Sequence, residues 1–171
     1  MTTAPIARTS TELTASEELL WRRFSAVLGS VPALLDERMR GTTGLNYFQY
    51  TVLDALSHQP GGRLQLAQIA RANDASLSRL SHSITRLEAA GLVERATCDH
   101  DRRASWAVLT DEGARVVEDS RDEYVRIVRE TLLDRVPAEH RPAFTALLTS
   151  LLPADVAEQC DGLDADLEPG S

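Results

Sequence analysis

The chain contains no lysine; all 18 basic residues among its 171 are arginine. An arginine's planar fork grips phosphates and base edges in a way the compact lysine ammonium does not. Any polyanion contact made here is therefore an arginine contact. Cysteine is nearly absent. Cys98 and Cys160 are the only two, and they form neither a zinc-ligand spacing nor a disulfide framework. Aromatic residues make up 5%. No apolar run approaches the about 20 residues that cross a bilayer. The opening MTTAPIARTSTE has no apolar stretch of the kind that directs secretion. No membrane partner and a cytoplasmic location are expected. There is no nucleophile elbow, phosphate loop or HExxH pattern, so no enzymatic chemistry, cofactor or metal is expected either.

What is present suits one domain with extended arms. Hydrophobic residues reach 43%, enough for a core. The formal net charge is -8, but it is uneven. Residues 63–106 hold 7 arginines against 5 acids, the only net-positive block, whereas residues 154–171 hold 6 acids and no base. A local positive face counts for more than the total when the partner is a polyanion.

Helical periodicity begins near Thr14, where Thr14 and Glu17 have capping-box spacing. Leu20, Phe24, Val27, Leu28, Val31, Leu34 and Leu35 continue it to about Arg40-Gly41. Pro32 predicts a bend or a break inside this run. A second helix is expected after Asn46, again with capping-box spacing to Gln49, and His58-Gln59-Pro60-Gly61-Gly62 stops it. A short helix from about Leu66 leads into the turn Asn73-Asp74-Ala75-Ser76. A fourth helix then runs to Ala90, with Gly91 after it. Leu77, Leu80, Ile84 and Leu87 predict its buried stripe, and Ser76, Ser78, Arg79, His82, Ser83 and Arg86 its polar side. Leu92-Val93 and Ser105–Leu109 are strand-like and pair as a hairpin whose tip is Asp99-His100-Asp101-Arg102-Arg103. Thr110 caps a long helix ending at Asp134 to Val136. Pro137 opens a last helix bearing Phe144, Leu147, Leu148, Leu151 and Leu152, and Pro153 stops it.

Short helix, tight turn, polar-faced helix and hairpin make a winged helix-turn-helix: a mostly α fold with a small β wing. The polar face of the fourth helix suits the major groove of double-stranded DNA. An arginine-bearing wing tip suits the minor groove, where the negative potential is strongest.

From about Leu13 to Leu152 the sequence resembles the MarR family of bacterial transcriptional regulators. The resemblance is carried by LSRLSHSITRLEAAGLVER at 77–95, DRRA at 101–104 and LTDEG at 109–113. It implies a recognition helix, a wing in which Arg103 reaches the minor groove while Asp101 pairs with it or shapes the wing, and a homodimer. The implied organisation is a flexible arm (1–11), an N-terminal dimerisation helix region (12–45), a winged helix-turn-helix DNA-binding domain (46–110), a long helix with a C-terminal dimerisation helix (111–153) and an acidic tail (154–171). Candidate DNA-binding residues are Ser76, Ser78, Arg79, Ser81, His82, Arg86, Asp101, Arg102 and Arg103, with Arg63, Arg71 and Arg95 as further phosphate candidates. Candidate dimer residues are Leu13, Leu19, Leu20, Leu147, Leu148, Leu151 and Leu152. The resemblance also implies a small aromatic or phenolic effector held between the dimer helices and the wing domain. Trp21, Phe24, Tyr47, Phe48 and His58 are the candidates for lining that crevice. Oxidant-sensing cysteines in the family sit near the first helix, where this chain has none, so Cys98 inherits no such role.

These features predict a homodimeric repressor that binds a pseudo-palindromic operator and is released by a small effector. The alternative from a different class is a winged-helix module for protein–protein assembly, whose acidic surface and tail take a basic partner. The net charge favours the alternative. Arg79, Arg86, Arg102 and Arg103 count against it.

Overall fold

The computed structural model describes residues 12–98, 101–154, 156 and 157, with the side chains of all but 97, 98 and 101–104. The expected arm and all but the first residues of the acidic tail lie outside the described residues. The chain divides into two compact units, one up to Leu34 and one from Leu35 onward.

The first unit is the leading part of helix α1 (Ala15–Thr43). The Thr14 amide donates to Glu17 Oε2 at 2.7 Å, and the Glu17 amide donates to Thr14 Oγ1 at 3.3 Å. This reciprocal pair holds the Glu17 carboxyl below its ordinary range, chiefly through the Thr14 amide. Of the bend or break expected at Pro32, the break does not occur: the helix runs through it. A proline deletes one hydrogen bond, and here helix is already established on both sides of it. Nor does α1 stop at Gly41. It continues to Thr43, where Gly44 at φ +76° turns the chain. The Thr42 and Thr43 hydroxyls donate back to the Arg38 and Met39 carbonyls at 3.0 and 2.8 Å in this last turn.

In the second unit, α2 (Tyr47–Ser57) starts at the expected box: the Gln49 amide donates to Asn46 Oδ1 at 2.7 Å and the Asn46 amide to Gln49 Oε1 at 3.0 Å. Asp36 Oδ1 accepts from the Tyr47 amide at 3.0 Å, tying the end of α1 to the start of α2. A 3-10 turn at Pro60–Gly62 follows, then a strand that periodicity did not reveal, β1 (Arg63–Gln65). Three residues are too few to show a period of two. Next come α3 (Leu66–Ala72), α4 (Leu77–Ala89), β2 (Val93–Cys98) and β3 (Asp101–Leu109). The sheet order is β1-β3-β2, antiparallel throughout, with Leu64 opposite Ala107 and Arg95 opposite Ala107 from the other side. Met39, Leu53, Leu56, Ile69, Leu80, Ile84, Leu87, Val93 and Ala107 form the core beneath it.

Helix α5 (Asp111–Val128) is capped by Thr110, whose Oγ1 accepts from the Gly113 amide at 3.0 Å and donates to the Gly91 carbonyl at 2.7 Å. One hydroxyl thus closes the helix start and ties it to the turn after α4. Gly113, the glycine of LTDEG, is fixed by packing. A methyl group there would collide with the Leu92 carbonyl oxygen and lie 2.8 Å from Leu109 Cδ1. Gly113→Ala is therefore expected to lower stability by roughly 1–3 kcal/mol through overpacking against backbone. A urea midpoint equal to that of the parent would contradict this contact. Tyr124 of α5 stacks on Tyr50 at 4.6 Å between ring centroids and lies 6.2 Å from Tyr47. Burial pushes the Tyr50 phenol up to about 12 and raises that of Tyr124 as well, so this seam between α2 and α5 stays uncharged.

The end of α5 widens into a single π turn at Arg129–Leu133. The last helix, α6 (Arg141–Leu151), begins four residues later than expected. Pro137 precedes only a 3-10 turn (Ala138–His140), and it is Pro142 that occupies the first turn of α6. Pro153 stops the helix as expected, with Leu152 extended at φ -78°, ψ 146°. Among the described residues no helix is long and apolar enough to cross a membrane.

Candidate nucleic-acid interface

Helix α4 is positioned from both ends. The Ser76 hydroxyl accepts the Arg79 amide at 3.2 Å and caps it. Gly91 at φ +72° releases the chain into β2. Leu80, Ile84 and Leu87 are buried against the rest of the unit, as periodicity predicts. Two positions differ from the sequence expectation. Leu77 is 58% exposed, not buried. It is the first helical residue, and a helical side chain leans over the turn before it, which here does not exist. Ser83 is only 7% exposed and belongs to the buried side, its hydroxyl without a partner among the described residues. A small residue at this point lets α4 sit close to the core.

The remaining candidates on α4 are solvent-facing, but they do not form one uniform face. Ser78 and His82 are exposed near the centre of the outer surface, and Ser81 is half-buried. Arg79 and Arg86 lie toward one flank, where they line an open cleft with Asp36, Asn46, Phe48, Gln49, His82 and Ser83. The Arg79 guanidinium stands 4.3 Å above the Phe48 ring, a cation–π contact. On the opposite flank Arg95 of β2 docks. It donates to the Ser81 carbonyl at 3.2 Å and to Thr85 Oγ1 at 2.9 Å, and its Nε lies 3.3 Å from Glu88 Oε2. Arg95 is thus a strut between wing and helix, a role its sequence position did not reveal.

The electrostatics follow the same division. Arg115, Arg121 and Arg126 of α5 each pair with a carboxylate on their own helix or the turn after it. Arg63, Arg71, Arg79 and Arg86 form no ion pair among the described residues. Arg63 instead stacks on Trp106 at 4.5 Å, bracing the sheet edge. The arginines of α5 thus take up five carboxylates, Glu112, Glu118, Asp119, Glu123 and Glu130, whereas Arg63, Arg71, Arg79 and Arg86 keep their charge unpaired among the described residues. In the wing, β2 and β3 pair out to Cys98 opposite Asp101, with a register shift between Thr97 and Cys98. Asp101, Arg102 and Arg103 therefore begin the returning strand. Their side chains, like His100 and Asp99, lie outside the described residues.

The aromatic residues expected to line an effector crevice have these contacts within each unit. Trp21 and Phe24 contact each other in the first unit, 6.1 Å between centroids. In the second unit Tyr47 joins Tyr124, Phe48 lies under Arg79, and His58 Nδ1 sits 2.8 Å from the Asp54 carbonyl oxygen at the end of α2. The expected dimer residues Leu13, Leu19, Leu20, Leu147, Leu148, Leu151 and Leu152 are all exposed. Among the described residues no group of His, Cys, Asp and Glu is arranged to hold a metal.

A family model described as MarR family matches residues 41–104. AbsC, a MarR family transcriptional regulator from Streptomyces coelicolor, is 33% identical over 90% of this chain and 99% of its own, with a TM-score of 0.74. Sco3205, another MarR family regulator from that organism and solved in complex with DNA, is 31% identical over 84% of this chain and 96% of its own, with a TM-score of 0.77. The fold is shared more widely. A mutant MarR from E. coli, complexed with operator DNA, is 22% identical over 82% of this chain and 100% of its own, at a TM-score of 0.68.

Proposed function

Because the chain belongs to the MarR family and is thus a DNA-binding transcriptional regulator rather than an enzyme, we propose that it acts as a homodimeric repressor on a pseudo-palindromic operator. The observation that carries this is α4: a helix buried along Leu80, Ser83, Ile84 and Leu87, held at its N-cap, with a polar outer surface and unpaired arginines beside it. In this reading α4 lies in the major groove, which admits a helix. Ser78 and His82 meet base edges from its outer surface. Ser76, Ser81, Arg79 and Arg86 hold the flanking phosphates or the nearest bases. About half or more of the hydrogen bonds in such interfaces go to the backbone. The wing brings Arg102 and Arg103 to the adjacent minor groove, with Asp101 shaping the strand beneath them.

A second copy of the chain covers the exposed leucines of α1 and α6 and aligns two wing domains with two half-sites. A small aromatic or phenolic effector that bears on Trp21, Phe24, Tyr47, Phe48 or His58 releases the repressor by disfavouring that alignment.

Selection of bound sequences from a random duplex pool tests the reading. An inverted repeat is the expected outcome, and a pool that yields no enriched sequence would overturn it. The wing is tested separately. Arg103→Ala is expected to weaken binding to the selected duplex and to an unrelated one alike, and to reduce the slope of log affinity against log salt by about one unit. Fluorescence anisotropy across a salt series reads both. Unchanged affinity and slope would remove Arg103 from the DNA contact.

A further inference from the structure

Most large apolar side chains that the fold leaves exposed lie in α1, in α6 or near the C-terminal end of α5. Leu77 is the exception, the only exposed large apolar residue described between Gly41 and Thr110. It sits between two serines at the first position of α4. We propose that Leu77 is a specificity-determining residue that reads thymine by covering its C5-methyl group in the major groove. The proposal rests on the placement of α4 in that groove and adds a base identity to it.

Three observations narrow the choice to Leu77. In helix-turn-helix proteins the N-terminal residues of the recognition helix meet base edges, and Leu77 opens that turn. Two of its neighbours there are engaged within the fold, the Ser76 hydroxyl capping the helix through the Arg79 amide and the Arg79 guanidinium resting on Phe48, which leaves Ser78 and Leu77 to face the bases from this turn. At about 3.6 residues per turn, Leu77 shares a flank with Ser81 and Glu88, on the side where Arg95 fastens the wing to α4. An isobutyl group held there has no hydrogen bond to offer. The major-groove edge presents one apolar feature, the methyl group of thymine beside its O4 acceptor. Covering it removes apolar surface of both partners from water. No other standard base pair offers Leu77 an equivalent contact.

Deoxyuridine differs from thymidine in that base only by the missing methyl group, so it isolates the contact. The duplex selected from the random pool is resynthesised with each thymine replaced singly by deoxyuridine, and affinity is measured by anisotropy. One thymine in each half-site is expected at which the parent protein loses about fourfold on replacement, the worth of one buried methyl-sized group. Leu77→Ala is expected to bind the thymine duplex with a similar loss per half-site and to show no further loss with deoxyuridine. Leu77→Met, which keeps an apolar chain at that point, restores the discrimination. Circular dichroism should show parent-like helix for both variants, since the residue is exposed. A parent protein indifferent to every replacement overturns the proposal, and so does a Leu77→Ala protein that keeps the full thymine preference. If the parent selects an inverted repeat yet ignores the methyl groups, only the Leu77 assignment fails. If it selects no sequence at all, the groove placement fails with it.

Discussion

Placing aspartate at both Leu148 and Leu151 is expected to give a folded monomer that no longer binds the operator tightly. In the single chain these side chains are 39% and 57% exposed, so charges there cost the isolated fold little. Two leucines on successive turns of an amphipathic helix are costly to leave in water, at roughly 1.5–3 kcal/mol for each fully buried side chain. A second copy of the chain is the cover proposed for them. Four carboxylates, two from each copy, would then face each other across a desolvated surface, and association would fail. Without its partner one wing domain must hold one half-site. Specific binding typically exceeds nonspecific binding by about 10³-fold or more, so losing half the contacts is expected to weaken operator binding on the order of a hundredfold. Sedimentation equilibrium should give about twice the 18.8 kDa chain mass for the parent and the single-chain mass for the variant. A variant that remains dimeric would remove α6 from the interface. A parent that sediments as a folded monomer would remove the dimer itself.

The features legible in the sequence were those decided locally. Thr14 with Glu17, Asn46 with Gln49, Ser76 and Thr110 all cap the helices expected of them, because a cap is a contact between residues three apart. The apolar stripe of α4 was legible at Leu80, Ile84 and Leu87 because burial on a helix repeats with the helix. The misread positions are those where a distant part of the chain decides. Ser83 is polar by type yet buried by its position against the core. Leu77 is apolar by type yet exposed, because the turn it would lean on is missing. Strand β1 exists through its pairing with β3 and has almost no pattern of its own. Arg79 and Arg95 look alike in the sequence, yet one rests on Phe48 and the other braces α4. A sequence shows which residues are able to reach DNA. It does not show which of them the fold has already engaged.

Leu80→Asp is expected to unfold the helix-turn-helix outright. Leu80 is 0% exposed, and it faces the core together with Ile84 and Leu87 while α4 packs on α3 and β2. Removing a fully buried leucine costs about 2–5 kcal/mol. An unpaired carboxylate in its place adds several kcal/mol of desolvation, or forces the group to take up a proton. Whole domains are stable by only about 5–15 kcal/mol, so the sum exhausts most or all of that margin. His82→Ala, two residues along on the exposed side, is the paired control. It should leave folding intact and lower affinity for the selected duplex if His82 meets DNA. Circular dichroism and a urea titration read the first variant, and anisotropy on the selected and scrambled duplexes reads the second. The contrast between positions 80 and 82 defines which side of α4 is buried. A soluble, cooperatively folding Leu80→Asp protein with parent-like helix would mean that α4 is turned about its axis. Ser78 and His82 would then point inward, and the major-groove assignment would fall with them.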